Sequence, residues 1–428
     1  MKNFLDKLKE TGFFHIFSSQ VLIKIVSLCS GLFIVGLLSV SDYGIYTNST
    51  TALNTFLLLT GLGTSSAMLQ FGSENYQNPE KKRAFLNFGF RVGFAFNLLM
   101  VIAIILYALL IIPLYDKSSQ PFLLLLAFMP AVFYINDVVS INLRIDLRNK
   151  AYSLFNTMST LLVFAATISG AILGGIFGII TLRYAAYILT ILLILLLSRN
   201  TFAFLHHPAK LMRHEKAAFM KISVISAANN GIAALLNVID TLLVGIILKN
   251  NVTTGAYGTA SLIPTALLFI PQSIMIYVYP YFARHNRDIV WVKKQYHKLF
   301  KSMLILSFII TIGMCFCVPP IIKLFFGSKY DNCISIYQVL VVSFFFSAVL
   351  RMPSGNILVT LKKVKINFYL AIISGILNIV LDILFIKIWG AIGAAIATLC
   401  VNIFIGTCST VYLRVFLNRK QSLDNVGA

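Results

Sequence analysis

Charge is scarce in this chain of 428 residues: Asp and Glu number 14 and charged residues of both signs make up 11% of the sequence. Soluble domains carry about 25% charged residues and roughly 45–50% apolar ones, so an ordinary soluble protein is excluded. No Gly-rich phosphate loop, HExxH, GxSxG or adjacent-aspartate motif occurs, which argues against an ATP-driven pump or a metal-dependent glycosyltransferase acting without a partner subunit. Cysteine is sparse as well. Of the six, all but Cys333 lie inside apolar runs, and no disulfide framework is expected. Cys315 and Cys317 stand two apart, which points them to different helix faces, and no His or Cys cluster lies beside them, so no metal site is expected. No loop between apolar runs is long enough for a soluble catalytic domain.

What is abundant is apolar surface: 58% of residues are hydrophobic and the mean hydropathy is +0.87. At about 20 residues per crossing the composition allows roughly 12 membrane spans. Candidates run near 13–40, 45–70, 85–112, 121–141, 152–173, 176–198, 218–248, 256–282, 299–325, 333–350, 366–386 and 390–416. The windows Tyr43 to Ser73, Ala151 to Leu182, Asn250 to Ala283 and Ile388 to Leu413 contain no Asp, Glu, Lys or Arg. The opening MKNFLDKLKE reads as an amphipathic basic prelude to the first span, with no small-residue cleavage site of a signal peptide.

The formal charge of +21 would suggest nucleic acid in a soluble domain. Here its placement gives another reading, and no nucleic-acid partner is expected. With both termini in the cytoplasm, Lys117, Lys249, Lys323, Lys329 and Lys387 fall on outer loops, Lys24, Arg91 and Arg183 fall within spans, and every other Lys and Arg lies on inner segments and tails. That is the positive-inside bias, and it places the inner basic loops against anionic lipid head groups.

The two halves of the chain resemble each other. DYGIYTNSTTAL (Asp42 to Leu53) follows the first span and GAYGTASLIPTAL (Gly255 to Leu267) follows the seventh, with Tyr46 and Tyr257 in similar places; basic loops then recur at Lys81 and Lys293, and near Lys150 and Lys365. This predicts an all-α integral membrane protein of two six-helix lobes, 1–198 and 218–428, joined by a basic cytoplasmic linker at 199–217. Parallel repeats of this kind place a substrate site between the halves. His206, His207 and His214 belong to that linker, without metal-ligand partners, and read as solvated.

An ionisable group inside a span is costly, about 2.5–3.5 kcal/mol at the centre on insertion scales, and marks function. Lys24 lies deep in span 1, and Gln20 and Ser27 share its helical face; an ammonium there suits an anionic group or pairs with a neighbouring carboxylate. On span 7, Asn230, Asn237 and Asp240 form a second polar stripe, where Asp240 is a candidate to bind a coupling cation or exchange H⁺. Ser374, Asn378 and Asp382 recur at four-residue steps on span 11. Asn136, Asp137 and Asn142 cluster near the end of span 4. Arg183 and Arg91 sit about two turns into their spans; guanidinium pairs bidentately with phosphate, or snorkels to head groups. Pro264, Pro271 and Pro280 predict kinks in span 8.

Several stretches, in this order along the chain, resemble the polysaccharide-export branch of the multidrug/oligosaccharidyl-lipid/polysaccharide (MOP) exporter superfamily, the O-antigen flippases of Wzx type. They are LLSVSDYGIYT, NVIDTLLVGIIL followed by TTGAYGTASLIP, FFGSKYDNCISIYQVL, and SGILNIVLDILFIKIWGAIGAAIATL. The resemblance implies a MATE-like bundle of about 12 helices around a central cavity lined by cationic residues. It implies a flippase of undecaprenyl-diphosphate-linked oligosaccharide in the bacterial inner membrane, coupled to H⁺ or Na⁺, without a cofactor and not an enzyme. Its expected partners are a polysaccharide polymerase and a chain-length regulator. The rivals are a multidrug or cation antiporter of the same superfamily and an integral-membrane polysaccharide polymerase or ligase. Embedded Lys24 and Arg183 argue against the first, and the lack of a large external loop against the second.

Overall fold

A computed structural model describes residues 13–114, 117–197, 204–205, 210–248, 251–326 and 332–426; among them the regular structure is helical, with no strand. The basic prelude, residues 199–203 and 206–209 of the expected linker, and the outer-loop residues Lys249 and Lys329 lie outside this set. Ten helical stretches among the described residues are long and apolar enough to cross a membrane, each longer than the 17 or so residues a crossing needs. Their outward faces are apolar: Leu173 and Leu196 are both 79% exposed and Phe316 is 76% exposed. A soluble protein would not leave such a surface to water.

In chain order the helices are α1 (Phe13–Leu37), α2 (Val40–Leu57), α3 (Thr64–Glu74), α4 (Pro79–Leu110), α5 (Gln120–Leu126), α6 (Met129–Ile145) and α7 (Asn149–Leu197). Then follow α8 (Arg213–Leu248), α9 (Asn251–Leu267), α10 (Phe269–Arg284), α11 (Ile289–Phe326), α12 (Asn332–Phe346), α13 (Met352–Thr360), α14 (Val364–Trp389) and α15 (Ala391–Val426). Several crossings are made of two pieces. Between α2 and α3 the chain passes through Gly61, Leu62 and Gly63 at φ 61°, 51° and 70°. This break is tied down by Ser223, whose hydroxyl donates to the Leu62 carbonyl at 2.6 Å, and by the 2.7 Å contact of Thr64 with Tyr134. Between α9 and α10 the break sits just before Pro271, whose missing N–H cannot continue the helical ladder. A π-helical turn, Ser347–Arg351, joins α12 to α13. The tenth span expected from the sequence therefore runs to Thr360, not to residue 350 as the apolar run suggests. Pro353 made 350 look like an end, yet it stands in the first turn of α13, where a missing N–H is tolerated.

The described chain falls into two compact units, Met1–Ala228 and Asn229–Ala428. Unit 1 packs α1 on α7 and buries a core of Ile104, Leu123, Leu126, Met129, Ile179 and Ile180. Unit 2 packs α15 on α12 and α14, around Val244, Tyr257, Tyr337, Val341, Ala394 and Ala395. A second cluster in unit 2 gathers Val292, Tyr296, Met303, Leu358 and Leu413.

The repeat is visible in the backbone. The turn after α6 and the turn after α13 end the same way: Arg148 N–H donates to Leu143 O at 2.9 Å, and Lys363 N–H donates to Leu358 O at 2.8 Å. In each, the preceding residue is left-handed and is not glycine, Leu147 at φ 54° and Lys362 at φ 60°. This is the Schellman closure, which satisfies the last helical carbonyls. Gly175 inside α7 (φ 55°, ψ −137°) and Gly390 between α14 and α15 (φ 65°, ψ −146°) form a second matched pair. Both occupy a region that side chains avoid. Gly178 and Gly393 follow each at the same step. A Cβ at Gly178 would lie 2.2 Å from Gly170 O, and one at Gly393 would lie 2.1 Å from Phe385 O, so only glycine lets the adjoining limbs approach. Leu147 and Lys362 are as far apart in the chain as Gly175 and Gly390, and as Gly178 and Gly393. The second half of each lobe thus aligns without a gap.

Candidate functional site

Arg183 stands in the second limb of α7, eight residues past the Gly175 turn. Its side chain turns toward α2, where Nη1 donates to the Tyr46 hydroxyl at 3.1 Å. Tyr187, one turn further along α7, lies within hydrogen-bond reach of the same guanidinium. Nε is shielded from solvent and has no partner. Both neighbours are phenols, and this cation makes no ion pair among the described residues.

The other sequence candidates of unit 1 lie apart from this cluster. Lys24 and Ser27 are exposed on α1 and Gln20 is half-buried. The Ser27 hydroxyl donates to Ile23 O at 2.7 Å, within its own helix. Arg91 is exposed on α4. In the part of α8 that belongs to unit 2, Asn230 is exposed and the side chain of Asn237 lies outside the described set.

In unit 2 the structure brings two of the predicted stripes together. Asp240 of α8 is 9% exposed, and Ser374, Asn378 and Asp382 of α14 are 0%, 5% and 0% exposed. The four-residue steps on α14 therefore do mark one inward face, with Asp382 in the interior of the unit. Oδ2 of Asp240 accepts from the Tyr257 hydroxyl at 2.9 Å and from the Thr398 hydroxyl. Asp382 and Asn378 face the same carboxylate. Oδ1 of Asp240, both oxygens of Asp382 and Nδ2 of Asn378 nevertheless make no hydrogen bond. Two buried carboxylates without a donor between them are not a stable arrangement if both are ionised and bare. A proton or a cation would complete the set, and the donors, carboxylate, amide and hydroxyl oxygens, are those hard cations prefer.

Asp240 also lines a cavity of about 180 Å³ within unit 2, room for roughly six waters at about 30 Å³ each. Tyr257, Ser343, Arg351, Thr398 and Asn402 line it too. Arg351 was missed by sequence reasoning, which ended the tenth span one residue earlier and counted this cation among the inner loops. A signal existed: Ser343, Ser347 and Arg351 repeat at four-residue steps, the same pattern that singles out Ser374, Asn378 and Asp382. The π turn carries Arg351, with Met352 N–H donating to Ser347 O, and such turns are frequent at functional sites. Nη1 of Arg351 donates to Asn402 Oδ1 at 2.9 Å, and Asn402 Nδ2 donates to Ser343 Oγ at 2.8 Å.

The separation that relates Leu147 to Lys362 also relates Arg183 to Thr398, Tyr187 to Asn402 and Asn136 to Arg351. Each unit thus holds a guanidinium near the tyrosine-bearing helix of its repeat, at a different place in the common frame. Carboxylates accompany it only in unit 2.

A family model described as "Polysaccharide biosynthesis protein" matches residues 33–335. Among solved structures, the chain is similar to the Vibrio cholerae MATE transporter VcmN in a mutant form, at 12% identity and TM-score 0.83, covering 97% of both chains. It is similar to a multidrug resistance MATE family transporter of the MOP superfamily in an outward-facing conformation, at 13% identity and TM-score 0.77, covering 96% of this chain and 95% of that one. It is also similar to a MOP superfamily transporter from Pyrococcus furiosus, whose reversed binding-pocket polarity suggests a different function for that protein, at 12% identity and TM-score 0.76, covering 95% of both. At these identities the likeness establishes the fold. No curated protein matches.

Proposed function

Because the chain belongs to the polysaccharide biosynthesis protein family, a Wzx-like flippase family of the MOP superfamily, we propose that it translocates an undecaprenyl-diphosphate-linked oligosaccharide, an O-antigen repeat unit. Transport runs from the cytoplasmic to the periplasmic leaflet of the bacterial inner membrane, by alternating access. The fold is that of a multi-pass membrane transporter; the substrate, the membrane and the cytoplasmic placement of both termini belong to this reading. The observation that carries it is Arg183, a cation set within an apolar crossing on two phenols, with Nε spare. A diphosphate and its sugars cannot enter hydrocarbon without compensating contacts, whereas a polyprenyl tail can remain in lipid. Guanidinium is the side chain best shaped for phosphate oxygens, and Lys24 and Arg91 supply further positive charge on the same unit, with Gln20 and Ser27 as polar contacts for sugar hydroxyls. Asp240 and Asp382 are the ion-coupling groups, taking H⁺ or Na⁺. A polymerase and a chain-length regulator are the partners that would consume the flipped unit, and the chain itself performs no covalent step.

The test is complementation. In a strain lacking its own flippase, the wild-type chain restores surface polysaccharide, and Lys24→Ala and Arg183→Gln fail to do so at unchanged abundance in the membrane. Normal export by both variants would overturn the role of these cations, and no export by the wild type would overturn the substrate. A second reading, cation antiport, is favoured by the Asp240–Asp382 pair, and the fold is shared by proteins of different function. Drug resistance conferred by the chain without polysaccharide export would decide for it.

A further inference from the structure

The cavity of unit 2 has charge of opposite sign on its wall, yet the two signs are not paired. Asp240 is held by Tyr257 and Thr398. Arg351 is held by Asn402, which is itself oriented by Ser343. Thr398 and Asn402 are one turn apart on α15, about 6 Å along the axis, so a single helix holds the acidic and basic ends at a fixed spacing. In a low-dielectric pocket a guanidinium and a carboxylate would ordinarily form an ion pair. Here amide and hydroxyl partners keep them separate, and Arg351 makes no ion pair among the described residues. Asn402 takes one guanidinium donor, and the others have no partner among the described residues. Such a fork is matched to two oxygens of a phosphate. The cavity volume has room for one phosphate group with a few waters.

We propose that Arg351 is the anion-binding end of this cavity, receiving a phosphate of the lipid-linked diphosphate, and that a positive charge at Asp240 and Asp382 tightens its grip. The inference rests on the reading above of those carboxylates as the ion-coupling pair. With the pair bare, negative charge one turn away repels an incoming phosphate. When a cation or proton neutralises it, the repulsion is lifted and Arg351 acts unopposed. Linkage makes the effect reciprocal, so phosphate at Arg351 holds the coupling ion more tightly. Ion and substrate are thus coupled inside one unit, through neighbouring rungs of α15.

The experiment is equilibrium binding of inorganic pyrophosphate to the purified full-length chain in phosphatidylcholine nanodiscs, in sodium chloride and in choline chloride. Asp240→Asn, which permanently removes one of the two negative charges at the acidic end, is expected to tighten pyrophosphate binding about tenfold over wild type in choline, a typical coupling magnitude. Arg351→Gln is expected to weaken binding by about tenfold or more and to abolish the gain from Asp240→Asn in the double variant. Arg351→Lys, which keeps the charge without the fork, is expected to retain part of it, and equal thermal stability of the variants shows that they fold. Wild-type affinity in Arg351→Gln, or no change in Asp240→Asn, overturns the proposal. Displacement of pyrophosphate by added phosphatidylglycerol would assign the site to bulk lipid head groups and overturn its assignment to the carried diphosphate; no displacement supports it. Normal flipping by a chain that fails these binding tests would leave the flippase reading standing. A chain that passes them and flips no oligosaccharide would sink that reading alone.

Discussion

At the scale of single residues, the unpartnered oxygens of Asp382 are the most exposed weakness in the protein's energetics. A buried polar group without a partner costs about 1–3 kcal/mol, and more when charged. Asp382→Asn supplies an N–H₂ donor to the bare Oδ1 of Asp240 while preserving shape. The variant is expected to unfold at a higher temperature than wild type in sodium-free neutral buffer, by an amount corresponding to about 1–3 kcal/mol, and to lose ion-driven transport. A lower unfolding temperature would mean that the carboxylate is already satisfied. Stability gained at the cost of function is the usual signature of a group kept for its chemistry. Arg183 is different, because its phenol partners are good ones. Tyr46→Phe removes one hydrogen bond to a charged donor, costing about 1.5–3 kcal/mol, and is expected to reduce export less than Arg183→Gln, as read from surface polysaccharide at matched abundance. How far such residues were legible depended on their neighbours in the sequence. Arg183 and Asp240 interrupt long apolar runs and stand out at once. Arg351 is followed by Met352 and Pro353, and proline made the run seem to end where the helix in fact continues through a π turn. Lys24 was equally visible, yet a sequence shows depth along a helix and not the direction a side chain takes.

At the scale of elements, the helix junctions are where sequence pattern and backbone requirement disagree. The Schellman turns after α6 and α13 need a left-handed residue, but Leu147 and Lys362 stand there. A side chain in that conformation costs about 1–2 kcal/mol, partly offset by the extra freedom glycine has when unfolded. Leu147→Gly and Lys362→Gly are each expected to stabilise the protein, by about 0.5–1 kcal/mol. The sites are in different units, so their effects on thermal unfolding should add; destabilisation by either would show that the side chain makes contacts worth more than the strain. The opposite outcome is expected at Gly178 and Gly393, where a Cβ meets backbone oxygen at 2.2 and 2.1 Å. Gly393→Ala must push α14 and α15 apart, and a loss of several degrees in the unfolding midpoint checks it. None of these junctions was readable as a turn type beforehand. Apolar windows show where the crossings run, because membrane thickness sets their length, whereas the breaks at Gly61 to Gly63 and before Pro271 depend on tertiary partners such as Ser223 and Tyr134 that no local pattern reveals.

At the scale of the whole molecule, the duplication that the sequence showed through Tyr46 and Tyr257 has diverged at one functional point. In unit 2, Asn378 and Asp382 of α14 and Thr398 of α15 surround Asp240. The separation that superimposes the matched turns places Val163 and Thr167 of α7 opposite Asn378 and Asp382, and Arg183 opposite Thr398. Val163 offers no donor oxygen from its side chain, and the Thr167 hydroxyl is already spent on Val163 O at 2.7 Å. A mobile cation arriving in unit 1 would meet a tethered guanidinium where unit 2 presents a hydroxyl, and like charges in a shielded pocket repel. If Asp240 and Asp382 hold the coupling ion as proposed, the duplicated frame sets a cation site in one unit against a fixed positive charge in the other, and the coupling stoichiometry is expected to be one ion per chain. Titration of the purified transporter with its coupling ion, by calorimetry or radiolabelled sodium, checks this directly. One site should be found in the wild type, none in Asp240→Asn, and one still in Arg183→Gln. A second site that survives Asp240→Asn would place ion binding in unit 1 and require the two units to share the coupling role.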